Sequence, residues 1–381
     1  MRINRGRSRA AVVLSALGLA AAALTGCVRP SSSGEFITPG GPATAVAPGT
    51  SSPGPADKGT TFTLSAVGDV IMAAAPGHIP PNGGAGFFDP VEDALHADLQ
   101  MANLEEELTD VAASPKCSAQ SLGRTCFAWR APASFAKVLQ DAGFDLVNIA
   151  NNHTMDFGQA GKEETESVLT AAGIAYTGPP GVIRLVTVKG VRVAVLGFAP
   201  YAWANDLRNI GAAQELVRQA KRQADVVIVQ AHMGAEGAAY QHVRPGTEVF
   251  LGENRGDTIA FSHAVVDAGA DLVIGHSPHV LRAMEIYKGH LIAYSLGNFA
   301  GYHALSTGYP MNVSMVLHAT LRQDGTLVSA AIVPASMYAP GVPKLDPAGR
   351  AIPLVRSLTE ADFPDTGAQI ADDGTITPPR S

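Results

Sequence analysis

A chain of 381 residues with 27 Lys and Arg against 34 Asp and Glu carries a net charge of −7. No long basic patch stands outside its first residues, so a phosphate backbone has nothing to neutralise it and nucleic acid is excluded as a partner. At 46% hydrophobic residues the chain can bury a full core, and with 3 cysteines it is not a disulfide scaffold.

The first residues carry Arg2, Arg5, Arg7 and Arg9 and no acid, and an uncharged apolar run follows over 10–24. That is the layout of a secretory signal, and the run falls short of the roughly 20 residues of a spanning helix. It ends in Leu24-Thr25-Gly26-Cys27, which resembles the lipobox of bacterial lipoproteins. The resemblance implies a signal peptide over 1–26, a diacylglyceryl group on Cys27 and an extracytoplasmic, membrane-anchored chain. An ordinary signal peptide or an uncleaved anchor are the alternatives. Residues 27–59 are nearly all Ser, Gly, Pro, Ala and Thr and read as a flexible tether. Residues 60–355 form one domain, and residues 356–381 read as a loose tail.

Residues 61–67 alternate as a strand and meet Gly68-Asp69. A helix is expected over 89–99, then a short segment from Gln100 to Leu104 that leads into acids. Cys117 and Cys126, in an oxidising compartment, read as a disulfide closing a short excursion. A helix over 132–142 precedes a strand over 144–149 that runs into Ala150-Asn151-Asn152-His153. A helix over 161–172 and a strand near Ile174 follow. The second half alternates strand 191–198, helix 210–223, strand 225–231 up to His232, helix 258–268 and strand 271–274 up to His276. Strands at 290–294 and 312–321 close the series. Alternation of this kind gives an α/β fold with both sheet faces covered.

Asp69, Asn152, His232 and His276 each fall just past an apolar strand, where ligands gather in α/β sheets. With Glu105, His153 and His279 they form a carboxylate, amide and imidazole set suited to a borderline divalent ion. The set exceeds one tetrahedral shell and points to two ions, of Mn, Fe or Zn, and to metal-assisted hydrolysis. No nucleophile elbow or kinase-type glycine loop is present.

Six motifs in order extend this reading: Val67-Gly68-Asp69-Val70-Ile71-Met72, Ala102-Asn103-Leu104-Glu105, Ala150 to Gly158, His232-Met233-Gly234-Ala235-Glu236, Gly275 to Val280, and Tyr294 to Phe299. Together they resemble the CapA family of capsule and poly-γ-glutamate synthesis, within the calcineurin-like metallophosphoesterases. The resemblance implies a four-layer α/β/β/α sandwich, metallophosphatase-like, with a dimetal centre. Asp69, Glu105, Asn152, His232, His276 and His279 would be the ligands, with His153 as the acid or phosphate-contacting group. Asp156 and Glu236 accompany it as catalytic-site residues that orient others. Arg244 and Asn298 are candidates for substrate contact, with a surface loop and a turn as their plainer alternatives. His303 and Tyr309 are expected at the cleft rim and Trp129 as a partly buried anchor. The chain departs from the superfamily pattern at Val70-Ile71, where a histidine is usual, and in placing Glu105 at the bridging position.

The function implied is an extracytoplasmic hydrolase acting in synthesis, release or attachment of an anionic, poly-γ-glutamate-like envelope polymer. An activated hydroxide would attack a phosphoester or an amide bond. Partners would be that polymer or a phosphoester substrate, the membrane through the N-terminal lipid, and membrane-bound capsule synthesis subunits. The competing accounts are a non-catalytic polymer-binding or scaffold subunit and a secreted phosphodiesterase or nucleotidase.

Overall fold

The computed structural model describes residues 59–118, 120–122 and 124–379. The expected signal segment, Cys27 and the tether as far as residue 58 lie outside the described residues. In chain order the main elements begin with β1 (Thr61–Ile71), β2 (Leu99–Leu104), α1 (Ala136–Asp141), β3 (Leu146–Asn148), α2 (Gly158–Ala171), β4 (Ala175–Thr177) and β5 (Arg184–Val188). There follow β6 (Val191–Ala199), α3 (Ile210–Lys221), β7 (Val226–His232), α4 (Thr258–Asp267), β8 (Leu272–His276), β9 (Met284–Tyr287), β10 (His290–Ala293) and β11 (Asn298–Gly301). The last part holds β12 (Val313–Arg322), β13 (Leu327–Tyr338), β14 (Val342–Leu345), α5 (Ala351–Asp362), β15 (Gln369–Ile370) and β16 (Thr375–Thr377).

These strands build two sheets. A ten-stranded sheet runs β15-β16-β13-β12-β1-β2-β3-β4, with β11 also on β1 and β14 on β13. A seven-stranded sheet runs β9-β10-β8-β7-β6-β5, and Asn205–Asp206 adds a short strand to β6. The period of two along each strand decides what lies between them. In β7, Val226 and Ile228 enter one core with Phe62, Leu64 and Met101 of the other sheet, while Val227 and Val229 join a core with Val217 of α3 and Phe261 of α4. On the far side, Val67, Val70 and Ala102 pack with Leu139 of α1 and Leu169 of α2. The layers are therefore α/β/β/α, as the motifs implied. β1, β2, β3 and β4 are parallel, as are β6, β7, β8 and β10. Each sheet thus ends a row of strands along one edge.

Two expectations are corrected. Residues 356–381 were expected as a loose tail, and their described part, 356–379, is not one. α5 continues to Asp362, and β16 pairs antiparallel with β13. Phe363, Ala368, Ile370 and Ile376 are buried, and the Met284 N–H donates to Thr359 Oγ1 at 3.0 Å. The segment's acidic composition hides these few apolar anchors, which is why composition alone misreads it. The helix expected over 89–99 is a 3₁₀ turn, Asp89–Val91, and one helical turn, Glu92–Leu95, after which the chain is extended. Leu99 opens β2 and faces the inter-sheet core instead of completing a helical stripe.

Candidate metal centre

One geometric rule delivers most of the site. Gln230 and His232 follow Val226 and Ile228 at even spacing in β7, so they too face the inter-sheet space at the carboxyl end of the strand. His276 follows Leu272 and Ile274 of β8 in the same way and is the register partner of His232. In β2, Asn103 and then Glu105 continue the inward row of Leu99 and Met101. β1 needs a correction of phase, because Phe62, Leu64 and Ala66 face inward and strict alternation would point Asp69 at the helices. A register irregularity between Ala66 and Asp69 supplies it. Gly68 permits the crowding there, since a Cβ on it would lie 1.8 Å from Gly297 O. The Asp69 N–H then donates to Gly297 O at 2.9 Å.

Asp69, Glu105 and His232 are fully buried, and each offers a ligand atom within 4.8 Å of the others. His276 Nδ1 lies 3.8 Å from Asp69 Oδ1, and His232 Nε2 lies 3.9 Å from Glu105 Oε1. His279 enters from the loop after β8, with Nδ1 3.1 Å from Asp69 Oδ2 and Nε2 3.6 Å from Glu105 Oε1. Its backbone is left-handed at φ 59, and Ser277 is at φ 97, so the loop stores strain where the side chain is aimed. The Asn103 amide fixes the other side of Asp69, Nδ2 donating to Oδ1 at 2.8 Å.

The electrostatics of the cluster point to a cation. Both Glu105 oxygens, both His232 nitrogens, His276 Nδ1 and Asn152 Oδ1 are buried without a hydrogen-bond partner. Such groups cost several kcal/mol in order of magnitude when left bare. The Gln230 Oε1 acceptor, 3.2 Å from His276 Nε2, calls for a proton on that nitrogen. The Nδ1 lone pair is then turned toward a carboxylate, an arrangement that suits a cation between them. Burial, with Asp69 nearby, raises the Glu105 carboxyl well above its usual range. Burial lowers His232 far down, helped by Arg255, and holds His276 at about 4 against the pull of Asp69. Both are thus neutral donors, the form that ligates metals. Burial works against a charge on His279 too, yet Glu105 and Asp69 lift it to about 10. The donor set therefore fits a divalent metal.

Outside the cluster opens a cleft of about 420 Å³ whose lining includes Asn152, His153, Glu236, Arg255 and His279. His153 Nδ1 is 2.6 Å from Asp156 Oδ2, and burial lowers its pKa against the pull of Asp156. Asp156 itself is fully buried and accepts from Lys116 Nζ at 2.5 Å and the Trp129 N–H at 2.7 Å. It touches no open surface and orients His153. Glu236 Oε1 pairs with Arg255 Nη1 at 2.8 Å, and its Oε2 lies 3.8 Å from His279 Nε2. The Cys117–Cys126 disulfide is formed and closes an excursion that begins directly after Lys116.

Two expected substrate contacts are placed elsewhere. Arg244 is exposed on the loop after β7 and is not among the residues lining the cleft. The cations lining the cleft are Lys116 and Arg255, the latter only 4% exposed, and the sequence pattern pointed to neither. An Arg-Gly-Asp turn gives no signal of burial; its neighbours come from Tyr201, Phe250 and Glu236. Asn298 is wholly buried, Oδ1 lying 2.8 Å from His279 Nδ1, and so supports His279 instead of touching substrate.

The family model described as bacterial capsule synthesis protein PGA_cap matches residues 63–302. The PGA biosynthesis protein CapA of Bacillus subtilis (strain 168) is 30% identical over 257 residues, 62% of this chain and 63% of that one. The capsule biosynthesis protein CapA of Bacillus anthracis is 31% identical over 264 residues, 62% of this chain and 59% of that one. The chain thus spans less than two thirds of either relative's length. A 5'-nucleotidase precursor from Thermus thermophilus aligns in structure at TM-score 0.39 and 16% identity, over 75% of this chain and 54% of that one. A likeness that low carries no argument about this chain.

Proposed function

This chain belongs to the bacterial capsule synthesis protein PGA_cap family, and from that premise we propose an extracytoplasmic, lipid-anchored, metal-dependent hydrolase of an anionic envelope polymer. The observation that carries the chemical part is the buried Asp69–Glu105–His232 cluster with its unpartnered ligand atoms. Asn152, His276 and His279 complete the residues that would hold two ions, of Mn, Fe or Zn. Bound there, the ions supply Lewis acidity and a water acidic enough to act as nucleophile near neutral pH.

The chain's own residues do the rest. Asp156 holds the Nδ1 proton of His153 and so leaves Nε2 as the working nitrogen. With Nδ1–H held by Asp156, Nε2 carries a proton only in the imidazolium form, which the Asp156 charge favours. In that form His153 donates it to the leaving oxygen, or as a hydrogen bond to an anionic oxygen of the substrate. Arg255 gives the cleft a fixed positive charge, kept in place by Glu236 and Glu253. The scissile bond is a phosphoester or an amide, since both gather negative charge on an oxygen during attack. The Cys27 lipid and the tether would keep the domain at the outer membrane face, beside membrane-bound subunits that make or export the polymer.

Elemental analysis of the full chain, beside an Asp69→Asn, His232→Ala variant, tests the centre. About two ions per chain, lost in the variant, are expected. Little metal after supply of Mn or Zn overturns the two-ion centre, and a polymer-binding subunit without chemistry becomes the better account.

A further inference from the structure

The cleft over the metal centre does not end at His153. A second hollow of about 300 Å³ adjoins it, and the two share Phe127, Trp129 and Ala304 in their linings. On the far side of that shared wall stand His78 and His303, their rings stacked with centroids 4.2 Å apart and planes 16° from parallel. Neither imidazole is a core residue, since both are exposed. Both are nevertheless set in place by backbone. The His78 loop is closed by paired bonds with Ala74, at 2.8 and 3.0 Å, and tied to Arg130 O through the Ala75 N–H. His303 is left-handed at φ 54, and its N–H donates to Pro340 O at 2.7 Å.

Donors to an anion recur along this run: Lys116, Arg255, His153 and His279 line the first hollow, and His78 and His303 line the second. Among the described residues, Glu236 is the one carboxylate in either lining. The Phe127 ring stacks on Trp129 at 5.7 Å and forms an apolar wall along which a chain's backbone or methylenes can lie. A small phosphoester would fill the first hollow alone and leave the second without a use.

We infer that His78 and His303 form a distal subsite that takes a further anionic group of a chain-like substrate whose scissile bond lies at the metal centre. The inference rests on the hydrolase reading only for which bond is cut; the subsite itself is a binding claim. The ligand chemistry is a linear polyanion threaded past Trp129. Carboxylates or phosphates could supply the charge, and the test separates them.

The experiment measures binding of short and long oligoglutamates, and of short and long linear polyphosphates, to the full chain by titration calorimetry. A His78→Ala, His303→Asn variant runs beside it; asparagine tolerates the left-handed backbone that alanine would resist. The long chain of one series is expected to bind about five- to tenfold more tightly than the short one. The variant should lose that gain while binding the short chain as before. The series that shows the gain names the anion. A gain that survives in the variant, or no gain in either series, overturns the subsite. Metal content separates the two readings: a metal-free chain with the length gain keeps the subsite and loses the hydrolase, and a metal-loaded chain without the gain does the opposite.

Discussion

Asn103 would be a weak ligand, yet the position of Asp69 depends on it. Its Nδ2 donates to Asp69 Oδ1, and its Oδ1 accepts from Asn148 Nδ2 at 2.9 Å. Asn151 reaches the same oxygen at 3.4 Å, so three buried amides, from β2 and from the end of β3 with its following turn, lock one carboxylate. Removing an orienting partner of this kind costs roughly 10–100-fold in metal affinity. Asn103→Ala is expected to lose Mn or Zn affinity by about that factor, read by competitive titration. The variant should remain folded, at a cost of about 1–3 kcal/mol for the donor left bare on Asn148. An affinity within threefold of the parent would mean that Gly297 and His279 suffice to hold Asp69. The candidate cluster was readable because its residues fall just past apolar strands, although Asp69 reaches the inward side only through the irregularity in β1. Asn103 stood in a recognisable motif, but its role could not be read, since the carboxylate it holds is on another strand. Arg255 was hidden for the same reason, since Tyr201 and Glu236, which hold it in the cleft, come from other loops.

At the scale of an element, the segment from 110 to 129 wraps Asp156 on three sides. Ser114 Oγ donates to Asp156 O at 2.6 Å, Lys116 Nζ reaches Oδ1, and the Trp129 amide reaches Oδ2. Cys117 directly follows Lys116, and its bond to Cys126 ties the two limbs together before Phe127 and Trp129 form the cleft wall. The cross-link stabilises by limiting what the open segment can explore. A Cys117→Ser, Cys126→Ser chain should exchange amide hydrogens faster over 110–129, with the exchange of β7 and β8 unchanged. Phosphate binding at the cleft should weaken alongside. Unchanged exchange in the segment would show that the Asp156 bonds alone order it. Pairing of the two cysteines was legible from their number and the oxidising compartment expected for the chain; their wrapping of Asp156 was not, because a loop without periodicity leaves no trace of what it covers. The helix expected over 89–99 failed differently. Ala94, Leu95 and Leu99 have helical spacing, but Leu99 finds a better burial in the sheet than on a helix face.

On the scale of the whole molecule, the alternating half of the fold was legible and its closing strands were not. β13 contains Pro334 and several small residues, which blur a strand pattern that its pairing with β12 makes plain. Beyond it, α5, β15 and β16 read as polar tail, yet they seal both cores. Ile370 and Ile376 sit with the inter-sheet residues, while Leu358 and Phe363 join the core under α3 and α4. Phe363 stacks on Tyr294 at 5.0 Å, the residue that precedes the Ser295–Asn298 turn beside Asp69. Each large apolar side chain buried in this way contributes about 1.5–3 kcal/mol. Several together approach the roughly 5–15 kcal/mol by which a folded domain outlasts its unfolded chain. A chain ending at Val355 should therefore fail to fold stably, with no cooperative thermal transition near that of the full chain. A chain ending at Thr377 should melt with the parent, because among the described residues none beyond it belongs to a strand. If the chain ending at Val355 kept its transition within a few degrees, the last strands would be an appendage and the two sheets would close without them.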